Sequence, residues 1–312
     1  MTPTRAPEGL SGEPAGSMEV GGEVRRIVIL TVGLHPCAAY LARELRDSGA
    51  EIYLVNQSRL AVEPGSRAYF RRLLSRRGWW VTLDNLLLLM VKGVGRRVAS
   101  MVRRVRASSN PSEFHDVTTP ALRPHPEIAD ESWLQYVEAT NVNKNPDRER
   151  LAGIRPDLIL LAGAPILTRR TIALANVACI NPHCGITPEY AGSSPIEWPV
   201  SLGRYTDIGY TVHLVIPKVD SGPVLWQERV SWDPRLSLGH VSYLLTQHMY
   251  DKVVEIAREM IQGKSFVAAP QGKGRVRPPA GLCVRLIAEA RRIRYARKQA
   301  RSKGDVHEKT HS

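Results

Sequence analysis

The sequence predicts an α/β fold built on a mostly parallel sheet with helices packed on both faces. Three observations carry that prediction. Short, continuously apolar, β-branched runs alternate with helical patterns, as strands buried on both faces require. The alternation occurs twice, near residues 24–55 and again near 157–181. Two further strand-like runs follow, separated by one short loop, and these predict an antiparallel C-terminal edge.

Residues 24–32 (VRRIVILTV) read as a buried parallel strand. Residues 37–48 (CAAYLARELRDS) place apolar side chains at helical spacing and stop at Gly49, and residues 51–55 (EIYLV) form the next strand. After the Arg155-Pro156 break, residues 157–162 (DLILLA) predict a strand, 168–176 a helix and 177–181 (VACIN) another strand. Residues 210–216 and 224–230 form the antiparallel pair. Residues 236–262 carry Val241, Leu244, Leu245, Met249, Val253, Ile256 and Met260 at three- and four-residue spacing, which predicts a long helix ended by Gly263. The whole pattern is that of a Rossmann-like domain over 23–262, with a disordered N-terminal tail at 1–22 and a basic extension at 263–312.

Composition excludes several classes. An apolar share of 43% with 24 Gly and 22 Pro describes a globular chain, and excludes collagen-like, wholly disordered and polytopic membrane proteins. Cys37, Cys179, Cys184 and Cys283 are dispersed without a C-x-x-C pair, and the opening residues have no apolar core. A reducing, cytoplasmic setting and no structural metal are therefore expected. The net charge of +13 is uneven. Residues 67–106 hold eleven Arg/Lys against Asp84 alone, and residues 264–312 hold thirteen against three acids, so each carries +10 and the remainder of the chain is at −7. The basicity belongs to two segments and speaks about what they touch.

Several motifs carry no chemistry. Gly93-Val94-Gly95 lacks a third glycine and a preceding strand, so it is no dinucleotide fingerprint. The string His307-Glu308-Lys309-Thr310-His311 lies in a polar terminus with no apolar face to hold a metal-binding helix. Neither G-x-x-x-x-G-K-[ST] nor G-x-S-x-G occurs.

Asn181-Pro182-His183 is different, because it ends a strand expected to be buried. Residues two apart in extended chain point to one side, so Asn181 and His183 can meet at the carboxyl edge of the sheet, where open α/β folds bind ligands. Asp220 lies in the loop between the later strands. An amide, an imidazole and a carboxylate converging there suit acyl transfer, with Asn polarising a carbonyl and His and Asp managing protons. The structural alternative makes Asn181 a turn cap, His183 a polar edge residue and Asp220 a turn former before Gly222.

The segments CINPHCGITPEYAGSSPIEW and GYTVHLVIPKVDSGPVLWQERV together resemble the folate-dependent formyltransferase family, with an Asn-x-His strand end, a P-x-Y-x-G loop and a D-x-G loop. The upstream PDLILLAGAPIL is similar to the family's folate-lining strand and loop. The resemblance implies 10-formyltetrahydrofolate as formyl donor with no metal, and Asn181, His183 and Asp220 as catalytic residues. It also implies a folate pocket along Leu161, Gly163, Ile166, Leu167, Val219 and Gly222. Three departures bear on the acceptor. Gly185-Ile186-Thr187 replaces the family's usual Ser-Leu-Leu, Ala191 stands at its usual Arg, and Thr31 to Pro36 lacks the ribose-phosphate turn of purine-pathway relatives. The fifty residues after Gln262 are fewer than the tRNA-holding barrel of methionyl-tRNA formyltransferases. A small-molecule amine acceptor, an amino sugar first, is expected. A methionyl-tRNA formyltransferase-like activity, or a hydrolase releasing formate, is the alternative.

The basic insertion at 67–106 is expected to be helical, with an apolar stripe from Leu86 to Val105 and aromatics Tyr69, Phe70, Trp79 and Trp80 beside its first cationic run. Three uses fit such a segment: packing as a lid on the parent domain, lying on an anionic membrane surface, or contacting RNA. Residues 285–303 read as a second basic helix. A homo-oligomer is open, since nothing in the pattern fixes the assembly.

Overall fold

The computed structural model describes residues 16–58, 66–106 and 126–309. A short strand β1 (Met18–Val20) opens it, followed by β2 (Arg26–Val32), α1 (Pro36–Leu45) and β3 (Glu51–Gln57). The basic insertion forms α2 (Arg67–Arg77) and α3 (Trp79–Arg106). Then come β4 (Gln135–Ala139), α4 (Asp147–Ile154), β5 (Leu158–Ala162), α5 (Arg169–Ile172), β6 (Ala178–His183) and α6 (Glu197–Ser201). The chain continues through β7 (Gly209–Leu214), β8 (Val224–Arg229), α7 (Leu238–Ile261), β9 (Phe266–Ala268) and α8 (Leu282–Lys309).

Seven strands form one sheet in the order β4-β3-β2-β5-β6-β7-β8. The pairs from β4 to β6 are parallel, while β6–β7 and β7–β8 are antiparallel. Alternation along β2 explains why its sequence is apolar throughout. Ile27 and Ile29 face α1 and α7, together with Leu41, Leu45 and Val253, while Val28 and Leu30 face Leu151 and Leu161 on the other side. Each such fully buried side chain contributes roughly 1.5–3 kcal/mol of transfer free energy. His35 opens α1 by accepting from the Cys37 N–H through Nδ1, and Pro36 sits in the first turn, where its missing N–H costs nothing.

Two expectations are corrected. Met18–Val20, placed by sequence in a disordered tail, instead pairs antiparallel with Phe266–Ala268. Residues 1–15 of that tail lie outside the described residues. The extension from 263 onward is likewise no appendage at its start. Val224 pairs with Ala269, and the Arg277 N–H donates to the Ala191 carbonyl while its own carbonyl accepts from Ser193. The second correction concerns the insertion. Among the described side chains of the insertion, Trp79, Trp80, Leu83, Leu86, Leu87 and Met90 are exposed and the polar Thr82 and Asn85 are the buried residues, so this part of α3 does not lay its apolar side on the parent domain.

Candidate active site

The antiparallel pairing of β6 with β7 builds the site. It sets Asn181 opposite His213, Pro182 opposite Val212 and His183 opposite Thr211. Asp220 is then delivered from the β7–β8 loop with φ at 43°, a left-handed conformation that a non-glycine residue adopts at some cost in strain. Gly222 lets the loop fold back, since a Cβ there would come 1.8 Å from the Leu214 carbonyl oxygen.

Four polar side chains converge on this point. The Asn181 amide nitrogen lies 3.1 Å from His213 Nε2 and 3.3 Å from Asp220 Oδ1. His183 Nδ1 is 3.5 Å from Asp220 Oδ2, and His213 Nε2 is 3.6 Å from Asp220 Oδ1. The Gly192 N–H donates to Asp220 Oδ2 at 2.8 Å. Both rings have assignable protons, because a carbonyl oxygen can only accept. His213 Nδ1 lies 2.8 Å from the Leu214 oxygen, and His183 Nε2 lies 2.8 Å from the Tyr190 oxygen, so those nitrogens donate. His213 Nε2 faces both the Asn181 amide nitrogen and Asp220 Oδ1, and the amide is turned with its nitrogen toward the carboxylate.

The electrostatics follow from these contacts. Burial opposes ionisation of Asp220, but the His213 ring, the charge of His183 and the Gly192 N–H outweigh it and hold the carboxyl below the ordinary carboxylate value. Asp220 is therefore an anion in a nearly enclosed site, oriented on three sides.

A cleft of about 120 Å³ opens from this cluster. Its apolar wall includes Leu161, Ile166, Leu167 and Val219, and Asn181, His213 and Asp220 stand at its polar end. Of the residues expected to line a folate pocket, these four are on the wall, and Gly163 and Gly222 are not among the lining residues. Gly163 has φ at 67° and turns its Cα against the His35 ring, where a Cβ would come within 2.9 Å. His183 is also off the lining and stands behind Asp220.

Residues 102–254 match the family model described as Formyl transferase, a segment that contains Asn181, His183, His213 and Asp220. Over that segment the chain is similar to the formyltransferase family. Methionyl-tRNA formyltransferase of Thermotoga maritima is 26% identical over 135 residues, covering 43% of this chain and 40% of that protein. The Limosilactobacillus fermentum enzyme of the same name is 31% identical over 105 residues, or 33% of each chain. The chain thus spans less than half the length of either relative. Among solved structures, a sugar N-formyltransferase from a Shewanella species has a TM-score of 0.49 at 13% identity, covering 86% of this chain and 87% of its own. Phosphoribosylglycinamide formyltransferase from Bacillus halodurans has a TM-score of 0.47 at 13% identity, covering 76% and 95%.

Two parts of this site escape sequence reasoning. His213 reads as one more alternating residue of a strand, and only the β6–β7 register brings it to Asn181. The other is the strap at residues 276–281. Gly192 has φ at 97°, and a Cβ there would lie 2.5 Å from the Arg277 carbonyl oxygen. The Arg277 guanidinium lies over the Tyr190 and Trp198 rings, and Trp198 Nε1 donates to the Pro278 carbonyl at 2.8 Å. The P-x-Y-x-G loop that holds Asp220 is therefore braced by the C-terminal extension. A glycine at the loop's end was the available signal, but its partner lies 85 residues away.

Proposed function

We propose that this formyltransferase moves the formyl group of 10-formyltetrahydrofolate to a primary amine carried on an amino sugar. One observation carries the reading: an ionised carboxylate, a fixed amide and two imidazoles converge at the end of an apolar cleft at the sheet's carboxyl edge. The character of the cleft supports that donor. Its wall along Leu161, Ile166, Leu167 and Val219 is apolar and its polarity is confined to one end, which suits a flat ring system presenting its reactive group there.

The residues then divide the chemistry. Attack of the amine nitrogen on the formyl carbon forms the new C–N bond and develops negative charge on the formyl oxygen. Asn181 turns to that oxygen the amide N–H that otherwise points at Asp220, the kind of contact whose removal costs about 10²- to 10³-fold. His213 holds the amide in that orientation. Asp220 accepts the proton lost by the amine through a water it orders and passes it to the donor nitrogen as the old C–N bond breaks. His183 and the Gly192 N–H keep Asp220 ionised and aimed. Atoms and charge balance, and no residue changes its covalent state.

A tRNA-borne amine is the second reading, favoured by the methionyl-tRNA formyltransferases among the sequence relatives. Incubating the full chain with 10-formyltetrahydrofolate and separate amines tests both. Formylated product from nucleotide-linked amino sugars is the expected result. Product only from methionyl-tRNA selects the second reading, and formate release without any amine contradicts both.

A further inference from the structure

The α2–α3 hairpin is built inside out. Thr82 and Asn85 of α3 are buried, and the polar side of the helix makes its attachments. Asn85 Nδ2 donates to the Pro279 carbonyl at 3.2 Å, and Asp84 Oδ1 accepts from the Cys283 N–H at 2.7 Å, capping α8 from another helix. Gly281 permits that approach, since a Cβ there would lie 2.3 Å from Asp84 Oδ2. The opposite side carries Trp79, Leu83, Leu86 and Met90 at three- and four-residue spacing, with Trp80 and Leu87 beside them. All six are exposed, Trp80 at 66% and Met90 at 64%. Leu286 and Ile287 in the first turns of α8 are exposed as well.

The charge around this stripe is of one sign. Across Gly78, α2 presents the exposed Arg67, Arg71, Arg72, Arg76 and Arg77, and none of them forms an ion pair within the described residues. The one acid of the hairpin, Asp84, is spent on α8. We propose that this hairpin face docks on an anionic lipid bilayer, with the Trp79–Trp80 pair and the leucine stripe in the interface and the α2 arginines on the lipid phosphates. A bilayer surface satisfies both halves of the face, where a polyanion such as RNA satisfies the arginines alone and leaves the stripe wet. A second copy of the chain covers the stripe but sets five arginines against five. The helix lies on the bilayer and does not span it, because among the described residues no helix is long and apolar enough to cross a membrane. Through Pro279 and Arg277 the polar side of the docking hairpin is joined to the Gly192 loop that holds Asp220.

Flotation of the full chain with vesicles of phosphatidylglycerol and phosphatidylcholine in equal parts, against pure phosphatidylcholine, tests this. Binding to the anionic vesicles that weakens with added salt is expected. The double variant Trp79→Ser/Trp80→Ser and the double variant R71Q/R72Q are each expected to lower vesicle partitioning about tenfold or more, since a basic residue near an anionic surface contributes about 1 kcal/mol and an interfacial aromatic at least as much. An unchanged circular dichroism spectrum and unchanged size in solution show that the variants remain folded monomers or the same oligomer. Equal partitioning to both vesicle types, retention of binding in the Trp79→Ser/Trp80→Ser variant, binding to RNA but not to vesicles, or self-association through the stripe each overturns the proposal.

Discussion

The polar cluster around Asp220 and the α2–α3 hairpin treat polarity in opposite ways. Around Asp220, polar groups are buried and each is met by a partner: Asn181 by His213, His183 by the Tyr190 carbonyl, Asp220 by the Gly192 N–H. On α3, polar groups are also turned inward, but the apolar side chains are left facing out. Burying polar atoms is tolerable only when they are paired, and it is done where position matters. Leaving apolar area in water has no internal compensation, so it is informative about what lies outside the chain. The first arrangement speaks about chemistry and the second about location.

Substitutions separate the two regions most sharply in turnover. Asp220→Asn keeps volume and tolerates the left-handed backbone, yet is expected to lower kcat by about 10²- to 10⁴-fold through loss of the proton acceptor. Asn181→Ala follows at about 10²- to 10³-fold. Both are measured by tetrahydrofolate release in steady state. His213→Ala acts through its neighbours, so a smaller fall in kcat is expected, together with a signature that a purely structural role lacks. With the ring gone, burial of Asp220 is less opposed and its folded pKa rises, so the acid limb of the pH–rate profile moves to higher pH.

Stability effects are next in size. Gly192→Ala forces a positive φ on alanine and pushes into the Arg277 backbone, which is expected to cost at least 1–2 kcal/mol in denaturant titrations. The depressed Asp220 pKa has a definite sign. Its ionised form stabilises the fold at pH above the unfolded carboxylate value, and that contribution disappears as pH falls through the lower folded value. Asp220→Asn is therefore expected to flatten the acid limb of Tm against pH. Trp80→Ser on the exposed stripe lies at the other extreme, with a stability change within about 0.5 kcal/mol.

Much of this was legible in the residues, for physical reasons. Strands β2 and β5 are buried on both faces, so their continuous apolar runs are unambiguous, and the spacing of Val241 to Met260 leaves only a helix. Strand β4 went unread because it is a half-exposed edge (Gln135–Ala139) with no apolar run, and α4 because its sequence DRERLAGI buries only Asp147 and Leu151. Asn181, His183 and Asp220 could be singled out because their motifs are local, and the fold brings the three side chains together. His213 and the strap at Arg277 were not, because register and long-range packing decide their roles. Periodicity gives α3 an apolar side, but which way a helix turns is set by its neighbours, here by Pro279 and Cys283 accepting from and donating to its polar side.

The central claim is that Asn181 and Asp220, held in place by His213 and His183, promote direct transfer of a formyl group from donor to amine. Its most direct test supplies isotopically labelled formyl donor with a nucleotide-linked amino sugar and follows the label by mass spectrometry in wild-type chain and in Asp220→Asn. Label gained by the amine with the wild type, and lost by about 10²-fold or more with the variant, is the expected result. Label appearing as formate regardless of the amine, or transferred equally well by Asp220→Asn, would contradict the account.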